Sequence, residues 1–199
     1  MINRELYMEQ ITPFIDKPFV KVITGIRRCG KSVVLRLIRE ELLRRGVSED
    51  YIIYMNFESF EWIDMKEAKA LYAHIREATK APGKYYTLLD EIQEVTDWEK
   101  AVNAFLVDLD VDIYVTGSNS RLLSSEFSTY LAGRYAAFHI MTLSFREYLL
   151  FHAPPLTISV SDRKTEFLKY LRMGGFPAIH TANYDYNAIY KIVYDIYSS

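Results

Sequence analysis

The 199-residue sequence is half hydrophobic and one quarter charged, with a net charge of −2. That length and balance suit a globular chain with one sizeable α/β core, or a core plus a small appendage; they exclude a disordered segment and an overall basic footprint for nucleic acid. No window approaches the roughly 18 consecutive apolar residues of a membrane helix, and the start MINRELYMEQITPF lacks the charge and apolar pattern of a secretory signal. Cys29 is the single cysteine, and His74, His139, His152 and His180 are scattered without ligand spacing. A cytoplasmic protein is expected, with no membrane partner and no metal held by side chains alone.

In chain order, short β-branched runs alternate with longer helical patterns, the signature of βαβ units and a mainly parallel sheet. FVKVITG (19–25) reads as a strand, and KSVVLRLIREELLRRG (31–46) as a helix stopped by Gly46. Arg36, Arg39, Arg44 and Arg45 on this helix alternate with Glu40 and Glu41, which favours a solvated face over a nucleic-acid patch. A second strand is expected at 51–57, a helix at 65–80 closed by Pro82-Gly83, a third strand at 84–91, and a helix at 97–109 with Asp97 as N-cap. Strands at 111–118 and 136–143 follow, separated by a helical stretch near 120–132. From Ser144 onward the pattern is helical, in SFREYLLF, SDRKTEFLKYLRMGG and YNAIYKIVYDIY, interrupted at Pro154-Pro155. The expected organisation is an α/β core over 1–153 and a helical appendage over 154–199.

The sharpest signal is Gly25-Ile26-Arg27-Arg28-Cys29-Gly30-Lys31-Ser32, which fits G-x-x-x-x-G-K-[ST] between a strand and a helix. In a phosphate-binding loop of this kind, backbone N–H groups from Gly25 to Val33 surround the anion, Lys31 reaches the terminal phosphates, and Ser32 ligates Mg²⁺. YYTLLDE (85–91) is an apolar strand ending in two acids. Beside such a loop, Asp90 positions Mg²⁺ and Glu91 polarises a water for in-line attack on the γ-phosphate. VDIYVTGSN (111–119) ends in small polar groups, of which Asn119, with Ser118 in reserve, orients that water. A capping role at the start of the next helix competes for the same residues.

Taken together, GIRRCGKS, LLDEIQ, TGSNSRLL, LAGRY, LSFREYL and GGFP resemble a bacterial and archaeal group of AAA+-like ATP-binding proteins, over about residues 1–180. The resemblance implies a P-loop NTPase fold: a three-layer α/β/α sandwich followed by a small helical lid. It also implies that the strand ending at Ser118 lies between the P-loop strand and the Asp90-Glu91 strand. ATP and Mg²⁺ are the implied cofactors, with hydrolysis to ADP and phosphate. Arg134 falls where such proteins carry an arginine finger serving a neighbouring subunit in a homo-oligomer, and Arg121 competes for that role; no clear lid arginine stands out, Arg172 just before Met173-Gly174-Gly175-Phe176-Pro177 being the one candidate. The resemblance further implies a longer protein of which this chain is the N-terminal part. The alternative is a nucleotide-gated switch or scaffold that hydrolyses little, DNA-associated through the missing C-terminal region.

Overall fold

The computed structural model describes residues 3–118, 122, 131–152, 160–181 and 184–198. The strands are β1 (Val20–Thr24), β2 (Ile52–Asn56), β3 (Tyr85–Asp90), β4 (Val111–Gly117) and β5 (Tyr135–His139). They form one parallel sheet in the order β2-β3-β4-β1-β5. β4 therefore separates β1 from β3, as the resemblance implies. β1 and β3 are buried along their whole length, which is why both read as unbroken apolar runs: a parallel sheet is covered on both faces.

The helices are α1 (Glu5–Ile11), α2 (Lys31–Arg44), α3 (Ala68–Ala78), α4 (Trp98–Asp108), α5 (Phe145–His152), α6 (Val160–Met173) and α7 (Tyr186–Ser198). α2 buries Val34, Leu35, Leu37, Ile38 and Leu42, a stripe at helical spacing. It ends as expected: Gly46, at φ +90°, and Val47 donate to the carbonyls of Leu43 and Leu42, the two hydrogen bonds of a Schellman stop. Its arginines are matched by acids, since Arg44 and Arg45 bond Glu41 and Arg39 bonds Glu49. The solvated-face reading of this helix agrees with those pairs.

Three expectations shift. The fifth strand spans Tyr135–His139 rather than 136–143, because β1 ends at Thr24, the partner of His139, and offers no ladder beyond it. α3 starts at Ala68 rather than 65, because Ala68 N–H donates to Thr96 O and Thr96 N–H to Lys66 O, holding the chain extended there. Asp97 does not cap α4. It adopts a left-handed conformation (φ +57°) without a side-chain cap bond, and its carboxylate pairs with Lys100. The helix near 120–132 and the Pro154-Pro155 break fall, except for Leu122 in the helix and the turn at Leu131-Ala132, outside the described residues, as does the 153/154 boundary.

The chain divides into two compact units: one of Glu5–Gly25 and Lys31–His139, the other of Met1–Arg4, Ile26–Gly30 and Ile140–Ser199. In the first, Val20, Val22, Met55, Phe57, Leu71, Ile75, Val102, Phe105, Ile113 and Val115 build the core. In the second, Phe176, Ile179, Ile189 and Ile196 cluster, and Tyr148 donates to Glu166 at 2.8 Å. His180 bonds both His152 and the Gly174 carbonyl at 2.9 Å. Burial lowers the pKa of both histidines.

Candidate phosphate-binding site

β1 delivers the chain into the loop at Gly25, and α2 begins at Lys31. The turn closes through Cys29 N–H to Ile26 O. Arg28 (φ +63°) and Gly30 (φ +107°) take the left-handed backbone, and at +107° the second of these positions is open only to glycine. Ile26, Arg27 and Arg28 are exposed, Ser32 and Val33 half-buried, and Cys29 fully buried. A helix of 14 residues starts here, so its N-terminal amides and dipole favour an anion.

Lys31 is the buried cation of the site, with its side chain 3% exposed. Its Nζ donates to the Gly25 carbonyl at 3.4 Å and pairs with Glu91 Oε1 at 3.3 Å. Glu91 reaches this position because its backbone is left-handed (φ +54°, ψ +49°), directly after β3. Its second oxygen, Oε2, accepts from Gln93 Nε2 at 2.6 Å. One carboxylate is thus held between an ammonium and an amide.

Asp90 is fully buried. Its two oxygens accept from the hydroxyls of Thr116 and Tyr54, the latter at 3.0 Å. Burial, followed by the charge of Asp90, pushes the Tyr54 phenol far up, so Tyr54 remains a donor. The Thr116 hydroxyl gives its proton to Asp90 and accepts the Glu91 N–H at 2.9 Å. Thr116 thereby fixes both acids from the neighbouring strand, where Leu89 is in register with Val115.

The structure therefore brings Lys31, Asp90 and Glu91 to the C-terminal ends of β1 and β3. Ser118 follows β4 and is half-buried; Asn119 and Arg121 lie outside the described residues. Arg134 is elsewhere. It precedes Tyr135, the partner of Val20 at the start of β1, and donates to Asn103 at 2.8 Å on the surface. Arg172 is exposed in the last turn of α6. Sequence reading missed Thr116, Tyr54 and Gln93, although Gln93 stands inside the LLDEIQ motif.

The residues fit a nucleotide phosphate chain. The N-terminus of α2 and the buried Lys31 ammonium lie at one end of the sheet, with the buried Asp90 carboxylate in the same unit. Among the described residues no group of three or more His, Cys, Asp or Glu is placed to hold a metal ion, and no helix is long and apolar enough to cross a membrane.

Residues 17–149 match the family model described as an AAA domain. The chain belongs to this AAA family. It is 43% identical over 186 residues to an uncharacterized protein of Haemophilus influenzae, a match covering 92% of the chain and 46% of that protein. With an uncharacterized protein of Methanocaldococcus jannaschii the identity is 35% over 188 residues, covering 90% of the chain and 39% of that protein. The AAA chain thus spans less than half the length of these two relatives. Among solved structures, it resembles AMPPCP-bound DnaA from Aquifex aeolicus (TM-score 0.56, 16% identity, 97% of this chain and 61% of the other). It also resembles Aeropyrum pernix ORC1 in complex with DNA (TM-score 0.52, 16% identity, 98% and 66%). At such identities the likeness shows the fold alone: an α/β architecture of the AAA+ kind.

Proposed function

We propose that this AAA chain is the core of a Mg²⁺-dependent ATPase that hydrolyses ATP to ADP and phosphate. The observation that carries this reading is the meeting of Lys31 and Glu91 at the loop, with Asp90 locked beside them by Thr116 and Tyr54. Loop amides from Gly25 to Val33 receive the phosphate chain, and Lys31 neutralises its terminal oxygens. Ser32 and Asp90 supply the protein oxygens for Mg²⁺, a cation that keeps most of its shell as water and phosphate. Mg²⁺ contributes charge neutralisation on the transferred phosphoryl group. Glu91 takes the proton of the attacking water, and Asn119 orients that water. Glu91, held by Lys31 and Gln93, becomes free to act as Lys31 turns toward phosphate. Of the two readings, hydrolysis is favoured over a silent switch by a Glu91 carboxylate beside Lys31 at the end of β3. A reducing cytoplasm suits the lone buried Cys29.

Lys31→Ala is expected to weaken ATP binding tenfold or more, about 1.4 kcal/mol upward, by calorimetry or with a fluorescent analogue. Equal affinity in variant and parent would remove the loop from the nucleotide site.

Arg134 we assign to a neighbouring subunit's nucleotide. Within its own chain it sits beside the start of β1, and the loop follows the end, a strand length of roughly 16 Å away, which supports a role in trans. Turnover per subunit is then expected to rise with protein concentration, and Arg134→Ala to lower it at least tenfold with ATP affinity kept. Mixing Arg134→Ala with Lys31→Ala protein restores part of the activity if the finger acts in trans. A mixture that stays inactive assigns Arg134 to its surface contact with Asn103.

A further inference from the structure

Arg4 is a surface residue type in a buried place: it is 3% exposed. Its Nη1 donates to the Cys29 carbonyl at 3.1 Å, its Nη2 donates to the Met141 carbonyl at 2.8 Å, and its Nε lies 2.8 Å from Glu147 Oε1. All four residues belong to the same compact unit. Glu147 is itself fixed. Its other oxygen, Oε2, accepts from the Ser144 N–H and hydroxyl at 2.8 and 2.9 Å, while Ser144 Oγ accepts the Glu147 N–H at 3.3 Å. Ser144 to Glu147 is thus a capping box at the start of α5, leaving one carboxylate oxygen for the guanidinium.

The contact with Cys29 has a consequence one bond further on. The carbonyl of Cys29 and the N–H of Gly30 share one peptide, which is planar and trans, so they point in opposite directions. A group that pins the carbonyl also sets where the N–H points. A loop that wraps a phosphate needs its N–H groups turned in and its carbonyls turned out. The guanidinium lies against this peptide closely enough that a β-carbon at Gly30 would stand 3.4 Å from Nη1. A planar fork serves two carbonyls and a carboxylate in fixed, separate directions, whereas a lysine donates from a single nitrogen.

We propose that Arg4 is a positioning residue for the phosphate loop: by holding the Cys29 carbonyl it presets the Gly30 N–H toward a nucleotide phosphate. Glu147 neutralises the buried guanidinium and fixes its plane. The inference rests on reading 25–32 as a nucleotide-phosphate loop, and the test separates the two. ATP and ADP affinities are measured for the parent, Arg4→Gln, Arg4→Lys, Glu147→Gln and Lys31→Ala. Asp112→Asn, altered in the other unit, serves as a control for general loss of stability. Arg4→Gln is expected to weaken both nucleotides tenfold or more. Arg4→Lys recovers part of that loss by restoring one donor to the Cys29 carbonyl. Glu147→Gln, which keeps the capping box, weakens binding about threefold. Affinities for Arg4→Gln within threefold of the parent, while Lys31→Ala loses binding, overturn the proposal. So does a loss that Asp112→Asn reproduces at an equal fall in melting temperature. If Arg4→Gln does not fold, an unchanged affinity in Glu147→Gln overturns it. Unchanged ATP affinity in Lys31→Ala instead overturns the loop reading itself.

Discussion

Glu91→Gln is expected to slow ATP hydrolysis about 100-fold or more while leaving ATP binding intact, because a positioned general base contributes roughly 10²–10⁴ to rate and little to ground-state affinity. The side chain keeps its length and its place between Lys31 and Gln93, so the change removes basicity rather than shape. Losing the carboxylate also releases Lys31 from an ion pair it must leave to meet phosphate. Affinity is therefore expected to hold or to tighten. Single-turnover hydrolysis beside equilibrium binding checks this, and a variant that still turns over at the parental rate would move the base elsewhere. Asp90→Asn is expected to behave differently in kind. Its oxygens anchor the Tyr54 and Thr116 hydroxyls, so an amide there must turn a donor toward one of two groups that already donate. Both the Mg²⁺ dependence and the rate should fall.

The loop and the acidic pair were legible in the sequence because their chemistry is local. Strand, glycines, lysine and helix follow one another in 19–46, and two acids end a buried strand at 90–91. What holds those acids was not legible. Thr116 reaches Asp90 only because β4 lies beside β3, an order that periodicity does not contain and that the family resemblance supplied. Tyr54 arrives from β2 on the other side in the same way. Arg4 meets Cys29 across 25 positions and Met141 across 137, distances at which no spacing rule operates. Asp97 failed as a cap for the opposite reason. The local signal was correct in type, but a left-handed backbone at 97 and a lysine three residues on gave its carboxylate another partner.

Lys21 and Asp112 carry the same lesson into the core, and a large stability effect with it. In the sequence each is a single charge inside an apolar strand. In the fold they are second residues of the adjacent strands β1 and β4, 0% and 2% exposed, and paired directly. Asp112 also accepts from the Asp16 N–H at 3.0 Å and the Tyr114 hydroxyl at 2.8 Å, and Lys21 donates to the Lys17 carbonyl at 2.9 Å. Burial lowers the pKa of Lys21, and Asp112 opposes that shift. Asp112→Ala therefore strands an ammonium in the interior and leaves two donors without their acceptor, a loss of about 3–5 kcal/mol. For a chain of this size the melting temperature is expected to fall by roughly 6–20 °C. Adding Lys21→Met to Asp112→Ala should recover part of the loss, since no buried charge then lacks its counterion. The pair sits at the N-terminal end of the parallel strands, and the loop leaves from the C-terminal end. Below the melting transition, then, ATP affinity in Asp112→Ala should match the parent. A fall in affinity without a fall in melting temperature would mean that this pair serves the nucleotide site rather than the fold.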